Sequence, residues 1–153
     1  MKKGQKIDAF VESLSTESAH NPCYEGYFIC FNEQKYYEAH DVLEHLWLQD
    51  KGPRHRFFKG LIQLAGAFVH LQKQHRRPEH VTDGRRLRPA WRLFKLARSN
   101  LEPFSPSYLD FDVNSALKLC TRNMLAIEGS EFTSNPWSPV TAPILTLQAA
   151  GVS

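Results

Sequence analysis

The stretch RFFKGLIQLAGAFVHL, Arg56 to Leu71, limits the fold more than any other part of this 153-residue chain. Read at about 100° per residue, Phe57, Phe58, Leu61, Ile62, Leu64, Ala65, Phe68, Val69 and Leu71 cover most of a helix surface. One polar stripe is left, made of Lys59, Gln63, Gly66, His70 and Lys73. A helix this apolar has to be covered on most sides, so it is the central element of a helical bundle. Gly60, Ala65, Gly66 and Ala67 leave room for a neighbouring helix to come close, because interaxial distance follows the side chains at the contact. The longest uncharged apolar run, Gly60 to Val69, is about half the length of a membrane-spanning helix, so no membrane span is expected.

Four further helical patterns surround that element. Pro22 opens PCYEGYFICFN, where Tyr24, Tyr27, Phe28 and Phe31 recur at helical spacing and Asn32 suits a C-terminal cap. The second helix runs from Lys35 to Gln49, where Lys51-Gly52-Pro53 stops it. The central helix spans Arg54 to Gln74. The fourth buries Leu87, Trp91, Phe94, Ala97 and Leu101, with a kink or restart expected at Pro89. The fifth spans Val113 to Ile127. No strand alternation precedes the tail. The expectation is an all-α, single-domain antiparallel bundle of about five helices joined by short loops. The helical domain covers 21–128. Residues 1–20 read as a weakly ordered extension. Residues 129–153 read as a proline-rich extended tail that packs Trp137, Ile144 and Leu145 on the body.

Composition agrees with an ordinary soluble domain: 42% hydrophobic and 23% charged residues, with a net charge of +3. The basic start MKKGQKIDAF is followed by Asp8 and Glu12 rather than an apolar region. It does not read as a signal peptide, and a cytoplasmic location is expected. Cys23, Cys30 and Cys120 show no C-x-x-C spacing and read as buried, reduced thiols. The charge is polarised. Acids dominate from Asp8 to Asp50, and bases from Lys73 to Arg98. That polarity suits a protein partner or a dimer contact between unlike faces, or an anionic partner drawn to the basic half.

The second helix carries the chemistry. In YYEAHDVLEHLW, His40 and Glu44 stand four apart on one border of the apolar arc. Glu38 lies on the opposite border, and Asp41 and His45 point toward solvent. The spacing suits two ligands for a divalent metal, with Gln63 or His70 from the central helix adding a third. A histidine beside a carboxylate also suits general acid–base work. No H-E-x-x-H and no di-iron E-x-x-H pair is present, and no cofactor other than a divalent metal is indicated. The competing reading is a buried polar seam in which His40, Glu44 and Gln63 bond one another and a hydroxyl of Tyr24 or Tyr27.

FNEQKYYEAHDVLEHLW, RFFKGLIQLAGAFVHL and GRRLRPAWRLFKLARSNL together resemble the bacterial and archaeal family called domain of unknown function 309. The likeness extends from Tyr24 to Leu119. Glu38, His40, Asp41, Glu44 and Trp47 match the family's first core, and Gly60 and Gln63 its second. Gln34 stands where many relatives carry glycine, and Pro89 where an ordinary helix former is usual. The resemblance implies a small all-α fold and no established activity.

Arg85, Arg88, Arg92 and Lys95 form a basic stripe opposite the apolar face of the fourth helix. Such a stripe can meet phosphates of a nucleic acid, though a solvated face is the plainer reading. The leading expectation is a non-enzymatic protein-interaction or structural module with a buried His–Glu–Gln seam. The alternatives are a metal-dependent or acid–base hydrolase-type enzyme using EAHDVLEH, and nucleic-acid binding through the basic stripe.

Overall fold

In α1, Pro22–Asn32, the Asn21 side chain accepts a hydrogen bond from Cys23 N at 2.8 Å, and Pro22 occupies the first turn, where its missing N–H costs nothing. The structure, a computed structural model, describes residues 20–148. The N-terminal extension, but for His20, and the last residues of the tail lie outside the described residues. The described chain is mostly helical. It continues with α2 Tyr36–Gln49, α3 His55–Arg76, α4 Leu87–Leu101 and α5 Val113–Gly129.

The central place of α3 follows from its sequence. It buries Phe57, Phe58, Leu61, Leu64, Ala65, Phe68 and Leu71, and packs on both α2 and α4. A Cβ at Gly60 would sit 2.7 Å from Leu101 Cγ, so glycine there is what lets α4 approach. Gly66 faces Leu93, and His70 faces Arg86, so α3 and α4 run in opposite directions. Tyr36 stacks on Phe68 and Trp47 on His55, which makes α2 and α3 antiparallel as well. Trp91 meets Glu128 and Arg98 meets Thr121, so α5 returns along α4.

Rings dominate the core. Phe31 meets Tyr36 and Phe68 edge-on, and Phe68 meets Phe94 the same way. The three cysteines are buried, as expected. Burial pushes the Cys30 thiol up to about 11 and the Cys120 thiol up to about 12.

Several local expectations need correction. Pro89 neither kinks nor restarts α4. It is the third residue of the helix, inside the first turn, where backbone N–H groups have no partner in the helix. Between a short 3₁₀ turn at Glu102–Phe104 and α5 lies a two-residue hairpin, β1 Ser107–Tyr108 and β2 Phe111–Asp112. Its turn residues Leu109 and Asp110 both take positive φ, 47° and 60°, without the asparagine or glycine that usually signals such a turn. In the tail, Trp137 and Leu145 are buried, but Ile144 is 69% exposed. Asn32 is the last residue of α1 rather than its cap. Its side chain instead clamps the tail, donating to Leu145 O at 2.7 Å and accepting from Leu145 N at 2.8 Å.

Candidate functional site

The amphipathic pattern of α2 points Tyr36, Ala39, Val42 and Leu43 into the core. That leaves His40, Asp41 and Glu44 along one edge. His40 lies over α3 at Gly66, where a Cβ would stand 3.9 Å from its Cδ2. One ligand atom from each of His40, Asp41 and Glu44 fits within a span of 4.8 Å.

The two ring nitrogens of His40 face different carboxylates. Nδ1 is 3.1 Å from Asp41 Oδ1, and Nε2 is 3.9 Å from Glu44 Oε2. A carboxylate only accepts, so the bond to Asp41 places the ring proton on Nδ1. The Nε2 lone pair then faces Glu44. The ring of Tyr37 lies parallel to the imidazole, centroids 6.4 Å apart. The His40 and Glu44 side chains are 30% and 31% exposed, so this edge is not a dry seam. Asp41 was expected to point toward solvent, but its side chain is only 13% exposed, because it turns back onto His40. His45, also expected in solvent, is half-buried and meets Gln49 Nε2 at 3.3 Å. Asp41, Glu44 and His45 each have further partners.

The other residues expected at this site are placed elsewhere. Gln63 Oε1 accepts from Asn100 Nδ2 at 2.7 Å and so ties α3 to α4. The tyrosine hydroxyls are also committed: Tyr27 donates to Leu61 O at 2.7 Å and Tyr24 to Leu109 O at 3.0 Å. Glu38 is exposed, and its charge acts on Cys30 of α1 rather than on His40. His70 sits on the α3–α4 seam, its Nδ1 3.3 Å from Arg86 Nη1. Burial, the Arg86 guanidinium and Lys73 together hold the His70 imidazole down at about 4. Arg86 also bonds Asp83, and that hydrogen bond holds the Asp83 carboxyl below the usual range. Gln74 Oε1 accepts from Arg86 N at 2.7 Å.

Arg85, Arg88, Arg92 and Lys95 are all exposed, with Arg85 ahead of the first turn of α4. Arg88 lies 4.3 Å above the Phe132 ring and Lys95 5.4 Å above Trp91. Trp91, expected in the core, is only half-buried, and its Nε1 donates to Glu128. Two of the four cations are therefore engaged with rings of their own chain.

The α2 edge and the α3 stripe lie inside a segment that can be compared with known families. Residues 24–79 match the family model described as domain of unknown function (DUF309). No curated protein and no solved structure matches the chain. The likeness expected from Tyr24 to Leu119 is thus matched as far as residue 79. The DUF309 segment contains every residue of the α2 cluster, together with Gln63 and His70. The basic stripe, α5 and the tail fall outside it. No helix of the described residues is long and apolar enough to cross a membrane.

Sequence reasoning missed two groups. Gln72 is buried, and its Nε2 donates to Gln34 O at 2.8 Å, closing the α1–α2 turn. Asn123 is buried on α5 beside Trp137 of the tail, where the two line one cavity. The clue for both is an amide at a position that helical spacing assigns to the core.

Proposed function

We propose that α2 carries a divalent-cation site in which His40 and Glu44 are the ligands and Asp41 orients the imidazole. The observation that carries this reading is the convergence of the three side chains within 4.8 Å on a partly exposed edge. Asp41 on Nδ1 is what a metal-binding histidine needs, since a carboxylate there fixes the tautomer and strengthens the donor nitrogen. Ligand distances near 2.1 Å would bring Nε2 and a Glu44 oxygen to roughly 3.4 Å apart around one tetrahedral ion. The observed 3.9 Å closes to that by a small rotation of Glu44. Two protein ligands leave positions for water or a substrate oxygen, the arrangement used in metal-assisted hydrolysis. Gln63 and His70 take no part.

The protein-interaction reading keeps one specific support. Tyr37 and Leu48 are exposed and eleven positions apart, so they bracket the cluster along one face of α2. A partner seated there would cover the cluster.

Metal content tests the first reading. The protein is purified without affinity tag or chelator and assayed by elemental mass spectrometry beside His40→Ala. Near-stoichiometric zinc, iron or manganese, absent from the variant, is the expected result. A metal-free protein that also takes up no zinc or manganese on titration would refute the site and leave the interaction reading.

A further inference from the structure

Away from the α2 cluster, α4 and α5 build one basic face. No aspartate or glutamate occurs on α4 from Leu87 to Leu101. Arg88, Arg92 and Lys95, with Arg85 just ahead of the helix, recur at steps of three and four and so lie along one side of it. Arg98 Nη1 donates to Thr121 Oγ1 at 3.2 Å, which sets α4 beside α5 at this level. There Lys118, Thr121 and Arg122, with Leu117 and Leu125, line a groove of about 460 Å³.

Arg85, Arg88, Arg92, Lys95, Lys118 and Arg122 are all exposed. Among the described residues, no carboxylate lies within ion-pair distance of any of them. Cations elsewhere on the chain behave differently. Arg54 pairs with Asp50, and Arg77 and Arg86 both pair with Asp83. Glu128, which accepts from Trp91 Nε1 at 3.0 Å, stands near the end of α5 and pairs with none of the exposed cations. Like charges gathered on one side without counter-charges raise the local potential and draw a polyanion to it.

We propose that this face binds the phosphate backbone of double-stranded DNA without reading its sequence. Arginine predominates among the exposed cations, and its planar fork suits phosphate oxygens. Because α4 is packed on both α3 and α5, it does not project into a major groove, and its cations reach phosphates rather than base edges. The rings beside the row are already covered, Phe132 by Arg88 at 4.3 Å and Trp91 by Lys95 at 5.4 Å. They offer no platform for the base stacking that single strands use. The site is independent of the α2 cluster and uses no residue of it.

The test is fluorescence anisotropy of the full-length protein with a labelled duplex of about 20 base pairs, in about 50 to 200 mM NaCl. A dissociation constant of roughly 1 µM is expected at the lowest salt. With about four phosphates contacted, log K should fall against log salt with a slope of about −4, a loss of about a hundredfold over that range. Arg92→Gln and Lys118→Gln, both exposed changes, should each weaken binding about tenfold at low salt and make the slope shallower by about 1. Lys35→Gln removes the same charge from the turn before α2 and should change neither. Binding that does not respond to salt, or that Lys35→Gln weakens as much as Arg92→Gln does, would overturn the proposal. So would no binding of the duplex at low salt, including the case where the protein binds phosphatidylserine vesicles instead.

Discussion

At the scale of single residues, the turn after α1 shows what a side chain costs at a left-handed position. Lys35 N donates to Cys30 O at 2.8 Å and Gln34 N to Phe31 O at 3.0 Å, the pair of bonds that closes a helix in a Schellman motif. The motif needs a left-handed residue, and Gln34 supplies it at φ 62°. A side chain there costs about 1 kcal/mol that glycine avoids. Gln34→Gly should therefore raise stability by about 0.5–1 kcal/mol, after allowing for the extra freedom of the unfolded chain. Denaturant unfolding checks it. A fall in stability would show that the exposed bond from Gln34 Nε2 to Pro139 O outweighs the strain. The α2 cluster gives a second prediction. His40 and Glu44 are partly exposed, so His40→Ala and Glu44→Gln should each cost under about 1 kcal/mol. A loss near 3 kcal/mol in either would mean a structural lock, because only a desolvated pair costs that much to break. Helical spacing in the sequence put His40 and Glu44 on one edge. It did not show Asp41 turning back onto His40, because a short side chain bonding its neighbour leaves no periodic trace.

At the scale of elements, the helices were legible because each needs an apolar face of the right period, and that face is written in the sequence. The apolar run at Phe57–Leu71 predicted a covered central helix, and α3 is packed on both α2 and α4. What joins the elements was not legible. The hairpin before α5 turns on Leu109 and Asp110, whose identities carry no turn signal. The tail is held by single polar contacts, which have no spacing to detect. Trp137 Nε1 bonds Tyr36 OH in a buried setting, with the rings edge-on and 6.0 Å apart. Tyr36→Phe and Trp137→Phe should each cost about 1–3 kcal/mol, since each leaves its partner buried and unpaired. The double variant should cost less than the sum of the two, which a double-mutant cycle measures directly. Additive losses would mean that the contact contributes nothing and that the tail is held by packing alone.

For the molecule as a whole, acid stability depends on His70, because the seam it occupies joins the two most extensively packed helices, α3 and α4. The imidazole accepts from Arg86 through Nδ1, so a proton placed there would set two cations against each other. Its folded value is about 4 against 6.5 for the free group. With the folded value lowered, the unfolded chain binds the extra proton first. The His70 contribution is therefore fully present above pH 6.5, falls away between 6.5 and 4, and is flat below that. Asp83, held below the usual carboxylate range by Arg86, loses its contribution in the same direction but at lower pH. The window between pH 7 and 5 thus isolates the histidine from this neighbour. Asparagine keeps an acceptor for Arg86 and cannot titrate, so His70→Asn is the fitting comparison. From pH 7 to 5 the natural protein should lose up to about 2 kcal/mol more than the variant in urea unfolding. Parallel pH profiles would show that neither burial nor Arg86 opposes protonation of His70 and that the seam holds by apolar packing at Gly60, Gly66 and their neighbours.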